Sequence, residues 1–187
     1  MSSTKWDFAI ELCGRLKQLK RKGWVMNNVE NPECVADHSM RTAFLALILC
    51  PPEVDKDKAV EMALVHDVAE SIITDITPRD GVPREEKLRR ENDAWSEISE
   101  SLGSREMQAL WQELEAGETP EARFVNQLDK LEMLIQAEEY ENAQNLNLSQ
   151  FFDGLGLDFF TTDSVRAVYL AIMERRANRQ TQPPPSN

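Results

Sequence analysis

The stretch Lys56-Asp-Lys-Ala-Val60-Glu-Met-Ala63-Leu64-Val65-His66-Asp67-Val68-Ala-Glu70-Ser-Ile72-Ile73 reads as one helix, with Val60, Ala63, Leu64, Val68 and Ile72 available for a core. Its polar pair, His66-Asp67, lies between Val65 and Val68, so both side chains cannot easily face water. A buried imidazole needs a hydrogen-bond partner, and a buried carboxylate needs one still more. Successive helical residues diverge by about 100°, so His66 and Asp67 can flank one ion from neighbouring angles. Glu70, four residues after His66 and three after Asp67, falls on the same face. A cation would satisfy the whole group; a hydrogen-bonded core histidine is the plainer alternative.

Outward from this segment the pattern is helical almost throughout. Upstream, Trp6–Lys20 places Phe8, Leu12, Leu16 and Leu19 on one stripe and ends in the basic cluster Lys17, Lys20, Arg21 and Lys22 before Gly23. Trp24–Glu30 reads as an extended link, and Asn31-Pro32 as N-cap and first residue of a helix that runs to about Cys50. Downstream, Ile76–Pro83 is a loop, and helices are expected over Pro83–Leu102, Ser104–Ala116, Thr119 to about Asn142, and Thr162–Asn178. Strand signals are sparse and no internal repeat is present. The fold class is all-α: one domain over 1–178, with a disordered, proline-rich tail over 179–187.

Composition bounds the function. The chain has 187 residues, 41% of them hydrophobic, enough for one packed core. No apolar run approaches the ~20 residues that span a bilayer, and no secretory signal is visible, so no membrane partner is expected. Cys13, Cys34 and Cys50 are odd in number and lack CxxC spacing, which suits free thiols in a reducing compartment, so a cytoplasmic location is expected. A net charge of −12 argues against nucleic-acid polymers. It leaves room for a small phosphate ester, which one ion and two or three basic side chains can hold.

The second histidine, His38, sits in Val-Ala-Asp-His38-Ser-Met-Arg on a different helix. A further carboxylate is available in Asp129, within the apolar run Phe124-Val-Asn-Gln-Leu128-Asp129-Lys-Leu131-Glu-Met-Leu134-Ile. Aspartate is a poor residue inside a helix and costly among apolar side chains unless a partner offsets it. Lys130 is the bland partner, but adjacent helical positions do not face each other.

His38, His66-Asp67 and Asp129, each on a separate helix, make the H…HD…D pattern that names the HD-domain superfamily. The wider string is more specific: Gly23-Trp-Val, Asp37-His38-Ser, Ala63 to Glu70, Thr74-Asp75-Ile, Glu86-Lys87 with Arg90-Glu91, and Gln127-Leu-Asp129-Lys-Leu-Glu-Met133. It resembles the YfbR-like 5′-deoxynucleotidases, most closely the branch called HD domain-containing protein 2, from about Trp6 to Tyr140.

The resemblance implies an HD-domain helical bundle with a divalent cation between its helices, held by His38, His66, Asp67 and Asp129. Such a donor set suits Mn, Co, Fe, Zn or Mg. It also implies roles for Glu70 and Asp75, either in proton transfer or, with the backbone carbonyl of Ile76, as ligands of a second cation such as Mg. Arg21 or Lys22 is expected at the phosphate, with Trp24 lining the nucleoside pocket. The implied reaction is hydrolysis of 2′-deoxynucleoside 5′-monophosphates. The competing readings are another nucleotide ester (a dNTP, a cyclic nucleotide or an alarmone) and a non-enzymatic helical module with a structural ion. Members pair as homodimers, for which Met107, Trp111, Phe151, Phe152 and Tyr169 are the apolar surface expected here.

Overall fold

The computed structural model describes residues 4–180, and helices dominate them. In chain order they are α1 (Lys5–Leu16), α2 (Lys22–Val25), α3 (Val35–Leu49), α4 (Lys56–Val65), α5 (Glu70–Ile73), α6 (Arg84–Leu102), α7 (Glu106–Ala116), α8 (Pro120–Gln144) and α9 (Asp163–Gln180). Among the described residues there is no strand; an isolated bridge pairs Lys20 with Cys34. Residues 181–187, where a disordered tail is expected, lie outside the described residues, and α9 itself reaches Gln180.

The longest helix, α8, is the axis of the bundle, packed by α3, α4, α7 and α9. Its start is the one expected: Thr119 accepts from the Ala122 N–H, and Pro120 occupies the first turn, where a missing N–H costs nothing. Phe124, Val125, Leu128, Leu131, Leu134 and Ala137 recur at helical spacing and are all buried. Each large side chain so buried contributes about 1.5–3 kcal/mol. Arg175 and Arg176 clamp α9 to this axis through Glu138 and Glu141.

A second, smaller apolar cluster joins Leu12 of α1 to Ala94, Trp95 and Ile98 of α6, Trp111 of α7, and Val65 and Ala69. Ala63 belongs to the main core and Val65 to this one. His66-Asp67 therefore stands where the chain passes from one cluster to the other.

Several local expectations are corrected. The segment Lys56–Ile73 is not one helix: α4 stops at Val65 and α5 starts at Glu70. The His66 Nδ1–H donates to the Ala63 carbonyl at 2.7 Å, which an uninterrupted helix would offer to the Asp67 N–H. The next turns tighten to i→i−3 bonds, from Val68 to Val65 and from Glu70 to Asp67. The first long helix ends at Leu16 rather than Lys20, and Trp24 sits in the short helix α2 rather than in an extended link. α3 begins at Val35 with Cys34 as N-cap, because Asp37 accepts from both the backbone N–H and the Sγ–H of Cys34.

The apolar residues expected on a dimer surface are also corrected in part. Trp111, Phe152 and Tyr169 are buried in the bundle, and Met107 and Phe151 are half-buried. The exposed apolar side chains lie elsewhere, with Met40, Phe44, Leu47 and Ile48 forming one face of α3.

Candidate metal centre and substrate cavity

His38 projects from the first half of α3 and is wholly buried. Its Nδ1 meets a carboxylate oxygen of Glu132, and its Nε2 lies 3.2 Å from Asp129 Oδ1. His66, at the end of α4, has its Nδ1 on the Ala63 carbonyl. Carbonyl and carboxylate oxygens only accept, so each histidine carries its proton on Nδ1 and turns Nε2 to the centre. The two Nε2 atoms stand 3.1 Å apart. Two lone pairs at that separation repel unless a proton or a cation lies between them.

Asp67 and Asp129 complete the cluster. Asp67 Oδ2 is 3.1 Å from His66 Nε2 and 3.7 Å from His38 Nε2. His38, His66 and Asp129 each offer a ligand atom within 4.8 Å of the others. Burial opposes ionisation of both aspartates, but His66 and Arg21 hold Asp67 well below the usual carboxylate range, and Lys130 and His38 do the same for Asp129. Burial and Arg21 likewise oppose charge on His38, yet its hydrogen bonds to Asp129 and Glu132 carry it up to about 9. Anionic carboxylates around facing imidazole nitrogens fit a divalent cation of borderline hardness.

The expectation that Lys130 could not partner Asp129 is corrected: its Nζ reaches Asp129 Oδ2 at 3.0 Å, because a long lysine stem can fold back over its neighbour. Both then border the same cavity.

Glu70, brought in by α5 instead of by a shared helix face, is buried, and its Oε2 has no hydrogen-bond partner. Burial, reinforced by Asp67 and Asp75, pushes its carboxyl well above the ordinary range. Asp75 is fixed from the backbone, its Oδ2 accepting the Lys22 N–H at 2.7 Å. The residue before it, Thr74, takes φ 70° and ψ 166°, a conformation that β-branched side chains rarely adopt.

Of the two basic residues expected at the phosphate, the structure turns one inward. Arg21 Nη1 lies 3.3 Å from Asp67 Oδ2 and borders the cavity. Lys22 is directed to an ion pair with Asp80. Trp24 is 1% exposed, so it is a wall and not a free stacking surface. Its Nε1–H donates to Glu33 at 2.9 Å, and its ring packs 4.4 Å from that of Phe151, a half-buried residue that lines the same cavity.

Asp67, Glu70, Asp75, Asp129, Arg21 and Trp24 border one cavity of about 580 Å3, which Met133, Gln150, Phe151 and Leu155 also line; the two histidines are not on its wall. That volume is of the size that takes a nucleotide-sized ligand. Lys87, on α6, also reaches it; it stood in the string that carries the family resemblance but was given no role at the site. Nor was a role given to Glu132, which stood in the same string, or to Arg41. The signal for Glu132 was a second acid three residues after Asp129, between Leu131 and Met133.

An all-helical bundle with paired histidines and aspartates between α3, α4 and α8 defines an HD-type domain. The chain belongs to the HD-domain family, whose model, described as “HD domain”, matches residues 13–159. It is 43% identical over 174 residues to the 5'-deoxynucleotidase HDDC2 of Bos taurus, covering 90% of this chain and 85% of that one. It is 40% identical over 151 residues to the 5'-deoxynucleotidase hdd1 of Schizosaccharomyces pombe, covering 76% of each. Among solved structures, the PH0347 protein of Pyrococcus horikoshii superposes with a TM-score of 0.72 at 35% identity, covering 85% of this chain and 95% of that one.

Proposed function

We propose that this chain is a metal-dependent 5′-deoxynucleotidase that hydrolyses 2′-deoxynucleoside 5′-monophosphates to deoxynucleosides and phosphate. The observation that carries the reading is the pair of facing Nε2 atoms beside Asp67 and Asp129, two aspartates that also line a 580 Å3 cavity together with Arg21. Relatives named 5'-deoxynucleotidase at about 40% identity over most of the chain support the substrate class.

His38, His66, Asp67 and Asp129 would hold the cation. When bound, such an ion polarises the phosphoryl oxygens and acidifies water, which is the chemistry the donor set can recruit. Arg21, Lys87 and Lys130 offset the phosphate charge beside the acids Asp67, Glu70, Asp75 and Asp129 that line the same pocket. Glu70, poised by burial and its two aspartate neighbours, moves the proton between the attacking water and the leaving 5′-oxygen. Asp75, pinned by the Lys22 N–H, fixes a negative charge near that carboxyl and helps to hold it raised. The nucleoside extends toward Phe151, Met133 and Leu155, where an aromatic ring and apolar walls accept a base.

A second reading gives Glu70, Asp75 and the Ile76 carbonyl to a second cation such as Mg. The unpartnered Glu70 Oε2 favours it. Metal stoichiometry separates the two: one ion per chain supports proton transfer by Glu70, and two support ligation. Pairing as a homodimer belongs to the same proposal, with the exposed face of α3 as its apolar surface, and light scattering in solution tests it. No helix among the described residues is long and apolar enough to cross a membrane. With free cysteines, that suits a reducing, cytosolic setting.

The activity is tested by phosphate release from a panel of deoxy- and ribonucleotides with several divalent ions. Release from deoxynucleoside monophosphates supports the proposal. Release only from triphosphates, cyclic nucleotides or alarmones would transfer the site to the neighbouring ester class.

A further inference from the structure

The metal-binding nitrogen of His38 depends on a buried assembly on the far side of the ring. We propose that Glu132, clamped by Arg41, is a positioning residue that fixes the tautomer and orientation of His38 and thereby sets metal affinity. This rests on the assignment of His38 as a metal ligand.

Glu132 and His38 are both fully buried, and Glu132 Oε2 contacts His38 Nδ1. A carboxylate accepts only, so the contact places the ring proton on Nδ1 and leaves Nε2 as the donor to a cation. The other oxygen, Oε1, receives Arg41 Nε and Nη2, both at 2.7 Å. Arg41 is held in turn by Gln136 Oε1 at 2.6 Å and Glu139 Oε2 at 2.8 Å, one and two turns further along α8. The guanidinium thus spans one face of α8 from α3. Rotating Glu132 away from His38 would also break its bond to Arg41, a second residue of α3.

Glu33, His38 and Glu132 also offer atoms within 4.8 Å of one another, so this group could be taken for a metal site of its own. Its hydrogen bonds argue otherwise. Glu33 Oε1 is occupied by the Trp24 indole N–H at 2.9 Å, and Glu132 Oε1 by Arg41. A cation there would have to displace a guanidinium already neutralising the carboxylate. The group is a support for His38.

The chain's two histidines make the test direct, since only two imidazole spin systems appear in a 15N-edited spectrum. In the Zn-loaded protein, His38 is expected to show a protonated Nδ1 and a metal-bound Nε2. Chelator competition with Zn should find Glu132→Ala about 10–100-fold weaker. Glu132→Gln, which keeps an acceptor of the same length, should recover most of that loss. Metal bound through Nδ1 of His38, unchanged Zn affinity in Glu132→Ala, or a Glu132→Gln variant as weak as the alanine one would each overturn the proposal. If the alanine variant does not fold, the wild-type and Glu132→Gln spectra and affinities still decide. A protein that binds Zn in this manner yet releases no phosphate would remove the proposed activity and leave the role of Glu132 standing.

Discussion

His38 and His66 face each other through their Nε2 atoms at 3.1 Å, while the Nδ1 of each is tied to an oxygen of the protein. The two rings come from different helices and are fixed from behind by different partners, so the approach is imposed by the fold. Without a cation, a proton must occupy the space, and His38 is the ring raised to about 9.

That proton gives a pH prediction. The folded value of His38 lies above the ordinary 6.5. Its contribution to metal-free stability is therefore complete below the unfolded value and is lost as pH rises through about 9. A cation must displace the same proton. Apparent metal affinity should rise by about tenfold per pH unit between neutrality and that value, for one proton released. Calorimetry in buffers of different ionisation enthalpy measures the release; affinity independent of pH across this window would contradict it.

Glu70 titrates in the opposite sense from an ordinary ion-paired acid. Burial, Asp67 and Asp75 raise its folded value, so its protonated form stabilises the fold at low pH, and that contribution fades as pH climbs through the raised value. Glu70→Gln should raise the melting temperature of metal-free protein at pH 8 and do so less at pH 5. Removing a buried charge that burial, Asp67 and Asp75 all oppose is worth about 1–3 kcal/mol, or roughly 2–4 °C for each kcal/mol in a chain of this size. The same variant should lose turnover. A lower melting temperature at pH 8 would refute the account of Glu70.

Much of this was legible in sequence, for identifiable reasons. The helices of the bundle follow from apolar spacing and from caps such as Thr119-Pro120, because those signals are local. His66, Asp67 and Asp129 stood out as polar groups in apolar runs. The break after Val65 did not, because it depends on a histidine side chain taking a backbone carbonyl, which residue spacing does not encode. Glu132 and its partner Arg41 were hidden for a similar reason: charged residues on a long helix usually face water, and only the approach of α3, which carries Arg41, buries Glu132. The choice between Arg21 and Lys22 likewise needed the Asp80 partner, which lies far along the chain.

Arg21 and Lys22 should now separate cleanly in kinetics. Arg21→Ala removes the guanidinium beside Asp67 and should cut kcat/KM by at least about tenfold, the loss of a charge-assisted phosphate contact worth roughly 1.5–3 kcal/mol. Lys22→Ala should cost little, since its side chain pairs with Asp80 and only its backbone N–H reaches Asp75. Equal losses, or a larger loss at Lys22, would be inconsistent with this geometry.

Thr74 and Gly23 test the scaffold around the site. Thr74→Gly relieves a backbone conformation costing about 1–3 kcal/mol, offset by about 0.5–1 kcal/mol of glycine entropy. Stability should rise by about 1 kcal/mol while Asp75 loosens and kcat falls. A Cβ at Gly23 would meet Phe151 Cε1 at 3.3 Å. Gly23→Ala should therefore raise KM for deoxynucleotides by shifting the aromatic wall, with a smaller effect on an ester that lacks a base. Equal effects on both substrates would remove Phe151 from the base subsite.

The most direct measurement is phosphate release from deoxynucleoside monophosphates by metal-loaded wild-type protein and by folded His66→Ala, compared ion by ion. The account predicts metal-dependent turnover in the wild type and its loss in the variant, with the other helices intact by circular dichroism. Wild-type protein that binds the ion but releases no phosphate from any deoxynucleoside monophosphate would contradict it, as would undiminished turnover in His66→Ala.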